Sequence, residues 1–261
     1  MGEYDLTYIS GRTKPITVGI VGPESAGKTT ILAAFYTLLG RGALRPVKDT
    51  FSGSYTLAGW EAVASSLRWK PGQPPRFPAH TPSTAARSPG LLHLGFRSSD
   101  GSLRDFVFAD APGEWFKKWA INEQASDAEG ARWIARRADV TLLIADRQAL
   151  AGPKMGTARN DFQLMAQRVI TESRGRRLSL VWTKSDVEVA PAMEQKIRDA
   201  VAAGAQGLPE FTVSVMPREG ANSNEEFQQL FNWILSTRRP AAILPKTEVL
   251  GHDPLFRFGR R

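Results

Sequence analysis

The sequence predicts an α/β protein built on a mostly parallel six-stranded sheet, with one antiparallel strand and helices on both faces. Three observations predict it. Residues 16–39 read as strand, glycine-containing loop and helix in immediate succession. Short, almost wholly apolar runs then recur, separated by stretches of helical period, the pattern of strands buried on both faces by crossover helices. A single hairpin interrupts the alternation and supplies the antiparallel strand: Leu91–Arg97 and Leu103–Ala109 flank the turn Ser-Ser-Asp-Gly.

The elements follow in order. Residues 1–14 are polar and read as a loose lead-in. Ile16–Val21 is β-branched and apolar, the first strand. The helix after it runs from Gly27 to about Leu39, with Gly40 suited to its C′ position. Residues 41–90 form a long proline-rich insert holding one short helix, Leu57 to Trp69, whose Trp60, Val63 and Leu67 share a face. After the hairpin, Ser126 and Glu129 have the spacing of a capping box for a helix ending near Arg137. Val140–Ala145 is a buried-type strand, and the helix beyond it aligns Phe162, Met165, Ala166, Val169 and Ile170. Leu178–Trp182 is a strand, Pro191 opens a helix to about Ala203, and Phe211–Val215 is the last strand. Ser223 and Glu226 cap a final helix with an apolar face of Phe227, Leu230, Phe231, Ile234 and Leu235. Residues 239–261 read as a basic tail.

Composition narrows the function classes. Of 261 residues, 42% are hydrophobic and 23% charged, with no apolar run long enough to span a bilayer, so a globular protein is expected. Met-Gly-Glu-Tyr-Asp-Leu lacks the basic-then-apolar pattern of a secretion signal, and position 6 is not the Ser or Thr of a myristoylation signal. A cytoplasmic location is the default expectation. The chain has no cysteine, which excludes thiol catalysis, disulfides and thiolate metal sites. Net charge is +8. Residues 1–130 hold 14 basic and 12 acidic side chains, whereas 131–261 hold 20 and 14, so the excess lies away from the glycine loop. Nucleic acid or an anionic membrane is a conceivable partner for the basic tail, but no motif accompanies the charge, and a solvated basic surface accounts for it.

The glycine loop carries the first chemistry. Gly22 ends the strand, and Gly27, Lys28 and Thr29 follow with the spacing G-x-x-x-x-G-K-T. A polyphosphate needs several backbone N–H groups aimed at it, which Gly22, Glu24, Ser25, Ala26, Gly27 and Thr30 would help to provide at a helix N-terminus. Lys28 would reach the β- and γ-phosphates, and the Thr29 hydroxyl would ligate Mg2+. An ordinary strand–turn–helix does not require these four residues together.

Two further motifs stand at strand ends. Asp110 ends the strand of Phe106–Ala109, where its carboxylate could hold Mg2+ directly or through water, and Gly113 lets a backbone N–H approach a γ-phosphate. Thr183-Lys184-Ser185-Asp186 follows the strand of Leu178–Trp182. Guanine presents two donors on one edge, N1–H and the 2-amino group. One carboxylate, Asp186, accepts both, a readout that adenine does not match. The Lys184 stem would cover the base and reach back toward the phosphate loop.

In this order and spacing the motifs resemble the Ras-like GTPase domain of the translation-factor-related (TRAFAC) class of P-loop GTPases, over about residues 15–238. The resemblance implies a three-layer P-loop NTPase fold, GTP/GDP as ligand, Mg2+ as cofactor and a switch function. Ser214 matches the short serine-containing loop that supports guanine, although Val215-Met216 depart from its usual small residues. Gly59-Trp60, the proline-rich spacing and a threonine before the hairpin are similar to bacterial double-GTPase proteins, some of which work in multi-component systems. The family's first switch supplies a threonine to Mg2+; Thr81 and Thr84 are the candidates, with Thr81 preferred.

Two departures bear on catalysis. Glu114 stands where such proteins carry the catalytic glutamine, and Glu24 occupies a phosphate-loop position that is often glycine. With Lys28, Gly113 and Glu114 as the catalytic set, slow intrinsic hydrolysis is expected, on the order of 10⁻⁴–10⁻² per second before an arginine finger adds roughly 10³–10⁵. Arg76 and Arg87 are placed to act in cis, or are plain loop arginines. Trp115 is a candidate partner-binding aromatic, His80 and His93 are given no metal role, and segments 70–90 and 110–125 are the expected partner surfaces. Two alternatives remain: an ATP-binding P-loop NTPase, and a module that holds nucleotide with little turnover.

Overall fold

In the computed structural model, which describes residues 5–11, 13–68, 71–73, 76–78, 89–216 and 222–239, β1 (Ile16–Val21) lies at the centre of a seven-stranded sheet and is buried along its whole length. The other strands are β2 (Asp49–Gly53), β3 (Gly90–Ser98), β4 (Leu103–Asp110), β5 (Val140–Asp146), β6 (Arg177–Thr183) and β7 (Glu210–Val213), in the order β2-β3-β4-β1-β5-β6-β7. Only β3 runs against the rest, pairing antiparallel with both β2 and β4. The chain turns to one side of β1 for β2 to β4 and to the other for β5 to β7. That reversal opens a crevice at the carboxyl end of β1, where α/β sheets bind ligands.

Alternate residues of the strands feed two cores. On one face α2 (Lys28–Gly40), α3 (Leu57–Ala64) and α9 (Ser223–Leu235) bury Phe35, Trp60 and Phe231 against Val18, Ile20 and Phe108. On the other, α4 (Gly113–Ile121), α5 (Glu129–Arg137), α7 (Met155–Ser173) and α8 (Pro191–Ala202) bury Phe116, Trp119, Ile134 and Ile197 against Val21, Val107 and Leu143. The predicted apolar faces of α7 and α9 are the buried ones. A Cβ on Gly19 would lie 2.5 Å from Ile134 Cγ2, so the absence of a side chain is what lets α5 sit directly on β1. Among the described residues, no helix is long and apolar enough to cross a membrane.

Several expectations are corrected. The sheet has seven strands rather than six, because β2 pairs onto β3 through a bulge between Phe51 and Gly53. The first half of the insert is thus part of the fold: Trp60 of α3 stacks on Tyr36 at 5.7 Å and donates through Nε1 to His93 O at 2.8 Å. The helix expected to reach Trp69 ends at Ala64, followed by a 3-10 turn over Ser65–Leu67. The lead-in includes α1 (Leu6–Ser10), whose Ile9 is buried, and Thr13 donates to Asp105 on β4. Gly40 is the last residue of α2, and Gly42 takes the left-handed conformation (φ 70°). Ser126 and Glu129 form no capping box: a 3-10 turn over Ser126–Ala128 precedes α5, whose N-cap is Ala128. At α9 the cap is Asn222, whose side chain accepts from Asn224 N, and not Ser223.

Candidate functional site

The loop from Gly22 to Gly27 joins the buried end of β1 to α2. Gly22 leaves no room for a side chain, since a Cβ would lie 2.7 Å from Ile144 Cβ on β5. Ser25 (φ 60°) and Gly27 (φ 82°) both take left-handed backbone, which curls the loop into an N–H-lined concavity of the kind that cradles anions. The loop forms one wall of a cavity of about 600 Å³, lined by Glu24 through Ile31, by Ala111–Glu114, by Thr183, Lys184 and Asp186, and by Val213–Met216. A mononucleotide with its phosphates fits such a volume.

Lys28 lies at the phosphate end and is 6% exposed. Its ammonium donates to the carbonyls of Gly22 at 3.1 Å and Pro23 at 2.8 Å and lies 6.0 Å from the Phe116 ring centroid. Burial pushes its pKa down to about 8, and the carboxylates of Asp110, Glu24 and Asp146 only partly oppose that shift. The glycine-loop end of the cavity thus holds a desolvated cation with two backbone carbonyls as acceptors.

Asp110 ends β4 beside this loop, and Thr29 Oγ1 donates to its Oδ2 at 2.8 Å. A hydroxyl and a carboxylate, both hard oxygen donors, therefore meet at the entrance to α2. This donor set suits Mg2+, whose remaining positions are ordinarily filled by phosphate and water. Gly113, the first residue of α4, is pressed onto the phosphate loop: a Cβ there would lie 2.1 Å from Glu24 N and 2.4 Å from Pro23 C. Glu114 is exposed in the first turn of α4 and faces the cavity, as Glu24 does from the loop.

At the opposite end, Ser214 Oγ donates to Asp186 Oδ1 at 2.5 Å, fixing the carboxylate beside the loop after β7. Lys184 has left-handed backbone (φ 57°). Its ammonium reaches Asp146 Oδ2 at 2.8 Å and Gln148 Oε1 at 3.0 Å, rather than the phosphate loop as expected. Asp146 ends β5, is 5% exposed, and also caps α6 (Arg147–Ala151) through Gln148 N and Ala149 N. Sequence reading missed Asp146 and Gln148. The signal for Asp146 was present, a lone acid at the end of an apolar strand, as for Asp110.

The fold therefore brings Gly22, Glu24–Thr30, Asp110, Gly113, Glu114, Thr183, Lys184, Asp186 and Ser214 to one crevice. Arg76 is exposed and lines a different cavity. Trp115 is 5% exposed and belongs to the core, which overturns its reading as a partner-binding aromatic. His93 is a core residue: Nε2 pairs with Asp105 Oδ1 at 2.9 Å while Nδ1 accepts from Tyr55 N at 3.0 Å. Thr81, Thr84, Arg87 and His80 lie outside the described residues.

A comparison with curated proteins finds no match. The family model described as Double-GTPase 2 matches residues 16–234. That match runs from the first residue of β1 into the last turn of α9 and takes in the whole crevice, and the chain belongs to the Double-GTPase 2 family.

Proposed function

We propose that the chain is a guanine-nucleotide switch that binds GTP and GDP with Mg2+ and hydrolyses GTP slowly. The observation that carries the guanine reading is Asp186, a carboxylate oriented by Ser214 and exposed at the far end of the cavity from Lys28. An ionised carboxylate accepts both N–H donors of the guanine edge, and charge-assisted bonds of this type contribute about 1.5–3 kcal/mol each. The Lys184 stem flanks the base, and Asp146 with Gln148 holds its ammonium.

At the other end, Lys28 neutralises the β- and γ-phosphates and the loop N–H groups fix them. Thr29 and Asp110 would hold Mg2+, with Thr81 or Thr84 as the switch ligand, and the ion would supply charge neutralisation at the phosphates. Gly113 N–H meets the γ-phosphate, and Glu114 orients and accepts a proton from the attacking water. Two carboxylates, Glu24 and Glu114, beside a polyanion favour slow turnover without help. The same pair supports a second reading, a module that holds nucleotide with little turnover.

In this reading the working unit spans residues 15–238, segments 70–90 and 110–125 engage protein partners, and 239–261 is a basic tail. On α4 the surface available to a partner is Glu114, Lys117, Lys118 and Ile121, because its tryptophans face inward. Work as one component of a bacterial multi-component system is carried by the resemblance alone. Asp186→Asn tests the base readout: preference should move toward xanthine nucleotides, and unchanged guanine selectivity would remove Asp186 from the role. Single-turnover GTP hydrolysis separates the two readings; a rate indistinguishable from that of the protein-free nucleotide would leave only the holding module.

A further inference from the structure

A second cavity, of about 670 Å³, abuts the first on the outer side of α2. One wall is the α2 stripe Ala34, Thr37 and Leu38, continued by Arg41 at the C-cap, at i, i+3, i+4 and i+7. The 3-10 turn after α3, with Arg68 behind it, forms the opposite wall. Phe77, Ser214–Met216 and Phe227 line both cavities, so they share a partition made of the loop that would support the base.

The lining has an uneven chemistry. Arg41, Arg68 and Arg76 all face the cavity, and among the described residues no carboxylate lines it. Glu61 lies outside it and pairs with Arg68. The remaining surface is largely apolar, from Leu38, Leu67, Phe77, Met216 and Phe227. Planar guanidinium forks favour phosphate, and a concave apolar wall favours a flat body. Three exposed guanidiniums and an apolar wall thus meet across one solvent-open cavity.

We propose that this cavity binds a phosphorylated small molecule of mononucleotide size, in addition to the nucleotide of the first cavity. Its phosphate sits among the arginines and its flat apolar body lies against the shared partition. A ligand there presses on Phe77 and Met216 and so changes how fast nucleotide leaves the first cavity.

The test uses the full chain, with AMP and UMP as probes and adenosine as the phosphate-free control, by calorimetry. Two variants assign each probe to a cavity whatever nucleotide the first cavity prefers. Lys28→Met removes the phosphate end of the first cavity, and Arg41→Glu reverses a charge in the second; Arg41→Gln is the milder companion, and circular dichroism checks the fold of all three. The proposal expects saturable binding of at least one monophosphate that persists in Lys28→Met. That binding should weaken by about tenfold or more in Arg41→Glu, the loss of one charge-assisted contact, and be absent for adenosine. The same monophosphate should alter release of fluorescent GDP from the wild type and not from Arg41→Glu. Failure of both monophosphates to bind Lys28→Met, equal affinity for adenosine, or affinity unmoved by both Arg41 substitutions would overturn it.

Discussion

Replacing Lys28 by methionine tests the electrostatics of the phosphate end by their pH dependence. Lys28 is 6% exposed, and burial holds the pKa of its ammonium near 8 instead of 10.5. Below about pH 8 the amine is charged in both folded and unfolded chains, and the fold bears the full cost of burying the charge. Between about pH 8 and 10.5 the folded protein has shed the proton and the unfolded chain still binds it, so the unfolding free energy rises with pH. That interval corresponds to about 3 kcal/mol. Methionine has similar bulk and does not titrate. Urea unfolding of nucleotide-free wild type and Lys28→Met, from about pH 7.5 to 10.5, should therefore show the difference between them moving by about 3 kcal/mol in favour of the wild type. Ligand binding reports the same group with opposite sign. A polyphosphate raises the amine's pKa, so wild-type affinity for GDP should fall by up to about tenfold per pH unit above pH 8. Parallel unfolding curves across the range would refute the buried, desolvated ammonium.

Other positions make independent demands. Gly113→Ala drives a methyl group into the backbone of Pro23 and Glu24, where no side-chain rotation relieves it. The expected cost is about 1–3 kcal/mol in unfolding, with faster hydrogen exchange in α4; unchanged stability and exchange would mean that α4 does not rest on the loop. Asn222→Ala should lose about 1 kcal/mol as the cap of α9 is removed, whereas Ser223→Ala should be nearly neutral; the reverse order would return the cap to Ser223.

The parallel strands and the phosphate loop were legible because their signals are local. Strands buried on both faces must be apolar throughout, and a polyphosphate imposes fixed glycine, lysine and threonine spacing. The positions of Asp110 and Asp186 could be read the same way, since Asp110 ends β4 and Asp186 stands three residues beyond β6. β2 was not, because Asp-Thr-Phe-Ser-Gly is a short, bulged edge strand of which only Asp49 is buried. The α9 cap was misassigned by one residue because Asn222 and Ser223 are both good caps, and only the backbone decides which is extended. Trp115 was misread because exposure beside Glu114 was inferred from chain position, whereas the helical turn points residue 115 inward and residue 114 outward. The partner of Lys184 was hidden because Asp146 lies 38 residues away and meets it only once β5 and β6 pair.

The central claim is guanine recognition by a polyphosphate site, and competitive binding of labelled GTP and ATP in the presence of Mg2+ tests it most directly. Two charge-assisted bonds from Asp186 predict a preference for GTP on the order of 100-fold. Equal affinity, or a preference for ATP, would contradict the account.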